Sequence, residues 1–287
     1  MSDVAKLAGV SPQTVSRVIG ERASVSPLTR ARVLAAAEGL GYRPNAAART
    51  LATGHSKTLG VITLNGTFFG PVSTLYGVEQ AARGAGYFVS VVSLRSLDRQ
   101  SVVSAIKRLN DQVVEGIVVI SPLTSAAEAL NNLPTDMPVV VVEGDPRVDL
   151  SAVTVDQAGG ARAATNYLLS TGHATVFYVS GPLDWQEAYV RLTAWRSTLE
   201  EAGAEVVAPL SGDWTARSGY HAGQVLARVP EATAIFAAND QTALGVLLAL
   251  HEHGRKVPEE VSVIGFDDMP ESAYFIPPLT TVRQNFD

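Results

Sequence analysis

From Leu59 onward four nearly unbroken apolar runs, LGVITLN, YFVSVVS, EGIVVIS and PVVVVE, alternate with amphipathic stretches near 72–84, 98–111 and 124–133. Such runs suit parallel strands covered on both faces, because a strand with one wet face would alternate polar and apolar residues. A second series, ATVFYVSG, AEVVAP, TAIFAA and VSVIGF, is interleaved with helical patterns near 157–171, 185–202, 215–229 and 240–254. The repeated alternation predicts two doubly wound α/β subdomains, with a cleft outside the carboxyl ends of their strands.

The front of the chain follows the helical period instead. Asp3 to Ala8 predicts a first helix, ended by Gly9, where a left-handed turn residue is easiest to accommodate. Ser11 then offers an N-cap with Pro12 at the first helical position, and Val15, Val18 and Ile19 share one face. Pro12, Gln13, Ser16 and Arg17 are left on the wet face. Small Ala5 and the short Gly9-Val10 turn predict a helix-turn-helix whose second helix reads DNA. A third helix is expected from Ser26-Pro27, with Leu28, Val33, Leu34 and Ala37 packed inward and a stop at Gly39, Gly41 and Pro44. The plainer alternative is a small helical cap with basic residues on its solvated face. Asn45 to Gly54, NAAARTLATG, has helical propensity, yet it is shorter than the ~12 to 15 residues at which an isolated helix becomes marginal in water. It reads either as a helix ordered only by a partner or as a flexible linker whose Leu51 covers the larger domain.

Charge sharpens this division. Residues 1–58 carry a formal net charge of +5 and the remainder −11, within a 287-residue chain of net charge −6. A basic front on an acidic body suggests a front that meets a polyanion. The 46% hydrophobic content is enough for about two domains and a small appendage. With no cysteine, thiol chemistry and cysteine-ligated zinc are excluded. No apolar run approaches the ~18 residues of a membrane span, and the first residues have no apolar signal core, so a cytoplasmic chain, neither exported nor anchored, is expected.

The strand ends carry the candidate chemistry: Asn65, Glu143, Asn239-Asp240 and Asp267-Asp268, with Arg191 on a following helix and Trp214 in the loop GDWTARSG. Carboxylates, amides, a guanidinium and an indole suit a polyhydroxylated ligand, pairing with hydroxyls and covering sugar C–H groups. Each has a plainer reading: Asn239 or Asp240 as a helix cap, Asp267 as a solvated strand end, Arg191 as a surface charge, Trp214 as core. An enzyme on the same fold is the runner-up class. No GxGxxG or Walker pattern opens a helix after a strand, and His251-Glu252-His253 is not HExxH. An exported sugar receptor would share the bilobal body but lack the basic front.

The run DVAKLAGVSPQTVSRVIG, followed by VSPLTRARVLAAAEGLGYRPNAAARTLATG, resembles the headpiece and hinge of the lactose repressor (LacI/GalR) family. GPLDWQEAYVRLTAWR, GDWTARSGY, FAANDQTALGVLLAL and SVIGFDDMPESAYFIPPLTTVRQNFD resemble its body, so the likeness covers nearly the whole chain. The resemblance implies a three-helix helix-turn-helix headpiece over 1–44 and a hinge helix and linker over 45–58. A periplasmic-binding-protein-like α/β body would follow, with an N-subdomain over 59–152, joined by 283–287, and a C-subdomain over 153–282. It implies that Pro12, Gln13 and Arg17 read bases, that Thr14, Ser16, Ser26, Thr29 and Asn45 hold phosphates, and that Leu51 wedges into the minor groove with Ala48 near its floor. In the cleft it implies effector contacts from Arg191, Trp214, Asn239 and Asp267, a first wall of Phe68, Pro71 and Thr74, and Gln284 at the crossover. Two positions depart: Glu143 only approximates an aspartate, and Ile120 stands where an asparagine is expected. The implied function is that of a homodimeric repressor on a near-palindromic operator, released by a galactoside or related glycoside, without metal, organic cofactor, catalysis or membrane. Two further expectations concern the ends. The threonine that usually caps the first helix has no counterpart, so that helix end should fray, and family members continue past Asp287 with a helix and strands that complete the first subdomain.

Overall fold

The computed structural model describes residues 1–20, 25–42, 50, 51, 54–131, 133, 136–144 and 149–286. The chain divides into two compact units, Met1–Ser56 and Lys57–Asp287.

In the first unit, α1 (Ser2–Ala8), α2 (Pro12–Ile19) and α3 (Pro27–Gly39) enclose a core of Val4, Ala5, Ala8, Val15, Val18, Val33 and Ala36. These are all small side chains, so the helices lie close together. α1 has no side-chain cap at its start, but its end is well held: Gly9 takes φ 61°, and the Arg32 guanidinium donates to the carbonyls of Ala8 and Gly9. Ser11 and Ser26 cap α2 and α3, accepting from the amides of Thr14 and Thr29 at 3.2 and 3.3 Å. The inward face of α3 differs from the expected one. Leu28 and Leu34 are exposed, while Val33 and Ala36 are buried and Ala37 is partly covered. One residue turns a helix by about 100°, so Leu34 cannot share the face that Val33 and Ala37 occupy.

The second unit holds two five-stranded parallel sheets. In the first, β1 (Thr58–Leu64), β2 (Phe88–Leu94), β3 (Ile117–Ile120), β4 (Val139–Val142) and β5 (Ser151–Val153) run in the order β2-β1-β3-β4-β5. Helices α4 (Phe69–Gly84), α5 (Arg99–Asp111) and α6 (Ala126–Leu130) connect them. In the second, β6 (Phe177–Ser180), β7 (Leu210–Ser211), β8 (Ala234–Ala237), β9 (Ser262–Asp267) and β10 (Thr280–Arg283) run β10-β9-β8-β6-β7, the same topology counted from β6. Its helices are α7 (Gln157–Ser170), α8 (Gln186–Glu201), α9 (Ala216–Leu226) and α10 (Asp240–Glu252), with a 3-10 turn at Pro270–Tyr274.

Both faces of the second sheet are covered, as its apolar runs require. Tyr178, Phe236 and Phe266 point to one core, Phe177, Val179, Ile235 and Val263 to the other. On the first face Trp195 is fully buried, stacks on Tyr178 at 5.2 Å between ring centres and donates from Nε1 to the Val176 carbonyl at 3.0 Å. On the second, α9 and α10 pack backbone to backbone, since a Cβ on Gly245 would collide with the Ala216 carbonyl.

Three expectations about strands are corrected. AEVVAP is not a strand; only Leu210–Ser211 pair, with Val179 and Ser180. Pro209 has no N–H to donate to a ladder, and Val206 and Val207 pack on the cores from irregular backbone. The edge strands β5 and β10 were not expected, because SAV and TTVR are too short to stand out as apolar runs. The predicted 124–133 helix shortens to α6. No described helix is long and apolar enough to cross a membrane.

Candidate functional site

On α2, Pro12, Gln13, Ser16 and Arg17 are all exposed, opposite buried Val15 and Val18. The turn and the cap thus present one polar, basic face while the apolar face is consumed by the core. Thr14 and Thr29 meet the cap hydroxyls Ser11 Oγ and Ser26 Oγ at 3.0 and 2.9 Å. Thr14, Ser26 and Thr29 therefore sit at helix N-termini, where backbone N–H groups and the helix dipole favour an anion. Leu51 is 91% exposed, a large apolar side chain open to solvent. Asn45 and Ala48 lie outside the described residues.

The two lobes of the second unit meet at the carboxyl ends of their strands, at the switch points between β1 and β3 and between β6 and β8. Backbone bonds tie the two loops together there: the Gln186 amide donates to the Pro122 carbonyl at 2.7 Å, and the Thr124 amide to the Asp184 carbonyl at 2.9 Å. Below this contact a narrow pocket is lined by Gly70, Pro71, Thr74, Ile120, Pro122, Glu143, Gln157, Glu187, Gln284 and Phe286.

A ring of hydrogen-bonded side chains closes behind the pocket. Arg191 is 2% exposed, and its Nε donates to Gln157 Oε1 at 2.8 Å and its Nη1 to the Ala238 carbonyl at 2.5 Å. Its Nη2 stands 3.8 Å from Asp267 Oδ1, which accepts from Gln284 Nε2 at 2.6 Å. Gln157 Nε2 completes the ring on Gln284 Oε1 at 3.0 Å and reaches Glu143 Oε2 at 3.5 Å. Five segments far apart in sequence meet here: the ends of β4 and β9, the starts of α7 and α8, and the crossover after β10. Phe286 continues that crossover onto Phe69 of α4, with ring centres 6.0 Å apart.

Aromatic rings cluster beside this ring, outside the residues that line the pocket. Phe68 meets Trp185 edge to face at 5.3 Å, and Trp185 meets Trp214 at 5.7 Å. The Arg191 guanidinium lies 3.7 Å over Phe266 and 5.6 Å from Trp214, whose buried Nε1 has no hydrogen-bond partner among the described residues. Asn239 does what a cap does, accepting from the Thr242 amide at 2.8 Å, and it also donates to the Trp214 carbonyl at 3.1 Å. One amide hydrogen of Asn239 remains for a ligand. Glu143, Trp214 and Asp267 all have positive φ, at 57°, 69° and 111°. Such conformations cost non-glycine residues energy, and they concentrate where side chains must be aimed rather than merely packed.

The candidates from sequence thus fall into three groups. Pro71, Thr74, Glu143 and Gln284 line the pocket, Arg191 and Asp267 belong to the ring behind it, and Phe68, Trp214 and Asn239 belong to the aromatic cluster. Asn65 is exposed, Asp268 pairs outward with Arg283, and Asp240 is spent on structure. Asp240 is fully buried and accepts from the Met269 amide and the hydroxyls of Ser272 and Thr281. Sequence reasoning missed Gln157, Trp185, Glu187 and Phe286. Glu187 and Arg191 stand four apart on α8, which on sequence alone reads as an ordinary exposed helix pair.

Burial sets the charge state of the site. It pushes Glu187 up to about 8, with Arg191 pulling down and Glu143 and Asp267 pushing further up. It raises Asp267 to about 7, against the pull of Arg191, and lifts Glu143 as well. The folded chain therefore keeps protons that the unfolded chain has largely released by about pH 5. Stability is expected to fall as pH rises from about 5 to 8, by at least the ~1.4 kcal/mol equivalent to one pKa unit. Urea denaturation at steps across this window checks the sign; a midpoint that climbs with pH contradicts the buried-carboxyl account.

Residues 1–45 match the bacterial regulatory proteins of the lacI family, and residues 165–287 match a periplasmic binding protein-like domain. The chain is 34% identical to the lactose operon repressor of Escherichia coli K12 over 288 residues, covering 99% of this chain and 79% of that one. It is 32% identical to the HTH-type transcriptional repressor PurR of Vibrio parahaemolyticus, covering 99% and 86%. Among solved structures it is similar to the Lac repressor dimer bound to operator and the anti-inducer ONPF, with a TM-score of 0.89 and 33% identity over 99% of this chain and 87% of that one. A basic helix-turn-helix face, paired α/β lobes with a walled cleft, and likeness along almost the entire chain converge: this chain belongs to the lacI family of bacterial regulatory proteins and is a DNA-binding transcriptional repressor.

Proposed function

We propose that the chain acts as a homodimer that holds a near-palindromic operator and lets go, or changes its grip, when a small saccharide enters the cleft of the second unit. The observation that carries this reading is the ring of Gln157, Arg191, Asp267 and Gln284, because it joins the crossover between lobes to the floor of a pocket. A ligand that competes for any member of the ring alters the link between the lobes.

The roles follow from chemistry. Gln13 and Arg17 are suited to adenine and guanine edges in the major groove and Pro12 to a thymine methyl, while Thr14, Ser16, Ser26, Thr29 and Asn45 orient the module on phosphates. Leu51 serves as a wedge between base pairs, with Ala48 small enough to let the backbone approach the groove floor. In the cleft, Glu143, Asn239, Asp267 and Gln284 offer acceptors and donors to hydroxyls, Arg191 holds Asp267 in place, and Trp214 with Phe68, Pro71 and Thr74 covers C–H faces. The E. coli relative is by name the repressor of a lactose operon, which favours a galactoside or related glycoside. The proposed division is a headpiece over 1–44, a hinge over 45–58 and two lobes exchanging chain near 152 and 283. The protein would work in the cytoplasm, where operator DNA lies. Operator and effector then affect each other by the same factor, since their coupling is a single free energy.

The test is fluorescence anisotropy on a near-palindromic duplex and on its scrambled counterpart, with and without a panel of galactosides, other glycosides and sugar phosphates. A preference for the palindrome that one saccharide alters is expected, and Leu51→Ala should lower that preference by about tenfold, the factor equivalent to a partly lost wedge of ~1–2 kcal/mol. Equal affinity for both duplexes under all conditions would end the operator reading.

A further inference from the structure

Among its described residues the cleft holds more acid than one guanidinium can balance. Glu143, Glu187 and Asp267 converge on it, whereas Arg191 is the single cation among the described residues there, and its donors already go to Gln157, the Ala238 carbonyl and Asp267. Glu143 is partly provided for, accepting from the Val155 amide at 2.9 Å and from Gln157. Glu187 is not: it lines the pocket, and among the described residues it has neither a hydrogen bond nor an ion pair. Part of its side chain stays open to the cleft, while the protein packed around its carboxyl removes enough water to disfavour ionisation. Its charged surroundings are Arg191 on its own helix, Glu143 after β4 and Asp267 at the end of β9.

Three aromatic rings stand beside this pocket, though not among the residues that line it. Phe68, Trp185 and Trp214 stand edge to face in series, and the π-face of an aromatic ring attracts an ammonium group. Trp214 is 3% exposed, yet its indole N–H has no acceptor among the described residues, a buried donor that an oxygen-bearing ligand would satisfy.

We propose that the effector carries an amine: an amino sugar whose hydroxyls are held by the polar ring and whose ammonium group lies between Glu187 and Glu143. This rests on the saccharide reading above and narrows it. A neutral sugar leaves Glu187 as an unpaired, protonated acid, whereas an ammonium supplies the missing counter-charge. Binding then ionises the acid, so the complex releases a proton and affinity rises with pH until the amine itself begins to give up its proton. Arg191 cannot perform this service, because moving it to Glu187 would strip Asp267 and Gln157 of their partner.

The experiment is titration calorimetry on the full chain near pH 7 with matched probes, glucosamine against glucose and galactosamine against galactose, in two buffers of different ionisation enthalpy. At least one amine is expected to bind about tenfold or more tightly than its hydroxyl parent, with close to one proton released per ligand bound. Glu187→Gln should bring that ratio down to about one. If this variant does not melt cooperatively, Glu143→Gln and the wild-type proton release carry the test. Parent sugars that bind as tightly as their amines, or binding with no proton released, overturn the amine inference and leave the saccharide reading standing. Putrescine tells the two apart in the other direction: if it binds with proton release while no sugar of either kind binds, the cation site holds and the saccharide reading fails. No binding by any probe overturns both.

Discussion

Replacing Arg191 with Ala is expected to lower the stability of the second unit by about 3–5 kcal/mol, the range seen when one partner of a buried ion pair is removed. The side chain is 2% exposed and ties α8 to α7 through Gln157, to the end of β8 through the Ala238 carbonyl, and to β9 through Asp267 and the Phe266 ring. Its loss strands the Ala238 carbonyl without its donor and leaves three carboxyl groups without the one cation that the described residues place among them. Those acids answer by holding their protons, which limits the damage at low pH and makes the variant most fragile above about pH 7. A domain of this kind is stable by only about 5–15 kcal/mol in total, so the change is readable by urea denaturation. Arg191→Met separates packing from charge: it fills much of the same volume, so it should recover part of the stability without restoring any response of operator binding to effector. An Ala variant with an unchanged denaturation midpoint would show that the ring is decoration rather than structure.

The second large effect is expected at the other end of the chain. Arg17→Ala removes an exposed guanidinium from the wet face of α2, where nothing in the fold depends on it. A bidentate arginine–guanine contact discriminates by about 1–3 kcal/mol. In a homodimer each operator carries two half-sites, so the loss should be about 2–6 kcal/mol per complex, with little change in melting temperature. Anisotropy on operators with single guanine replacements locates the contact: the wild type should lose affinity at one symmetric pair of positions and the variant should be indifferent there. If the variant weakens binding equally on every sequence, Arg17 holds phosphate and does not read a base.

These two arginines also mark the difference between what could be read along the chain and what could not. Arg17 was legible because its helix is legible: Ser11 and Pro12 start it, Val15 and Val18 bury one side, and whatever is polar falls on the other. Local spacing settles such a question. Seven of the ten strands, β1 to β4, β6, β8 and β9, were legible for a similar reason, since each is an apolar run between breakers. The failures lie where a neighbour decides. Leu28 and Leu34 have the chemistry of core residues, yet the smaller Val33 and Ala36 are turned inward by the angle at which α1 and α2 arrive. β5 and β10 are too short to stand out as apolar runs and are strands because β4 and β9 offer them an edge. Glu187 and Arg191 look like partners at helical spacing, but Arg191 is drawn across the cleft to Gln157 and Asp267, and among the described residues the glutamate has no ion pair.

By itself, then, the order of residues determined the periodicities, the helix caps, the basic front and acidic body, and the family resemblance, all of which depend on neighbours within a few positions or on sums over a segment. Only the tertiary structure decided which of the cleft's charges are paired. That choice depends on residues 157, 191, 267 and 284 arriving at one point through strand order and crossover, and at short range in a poorly hydrated site a shift of an ångström or two changes which acid finds the cation and which keeps its proton.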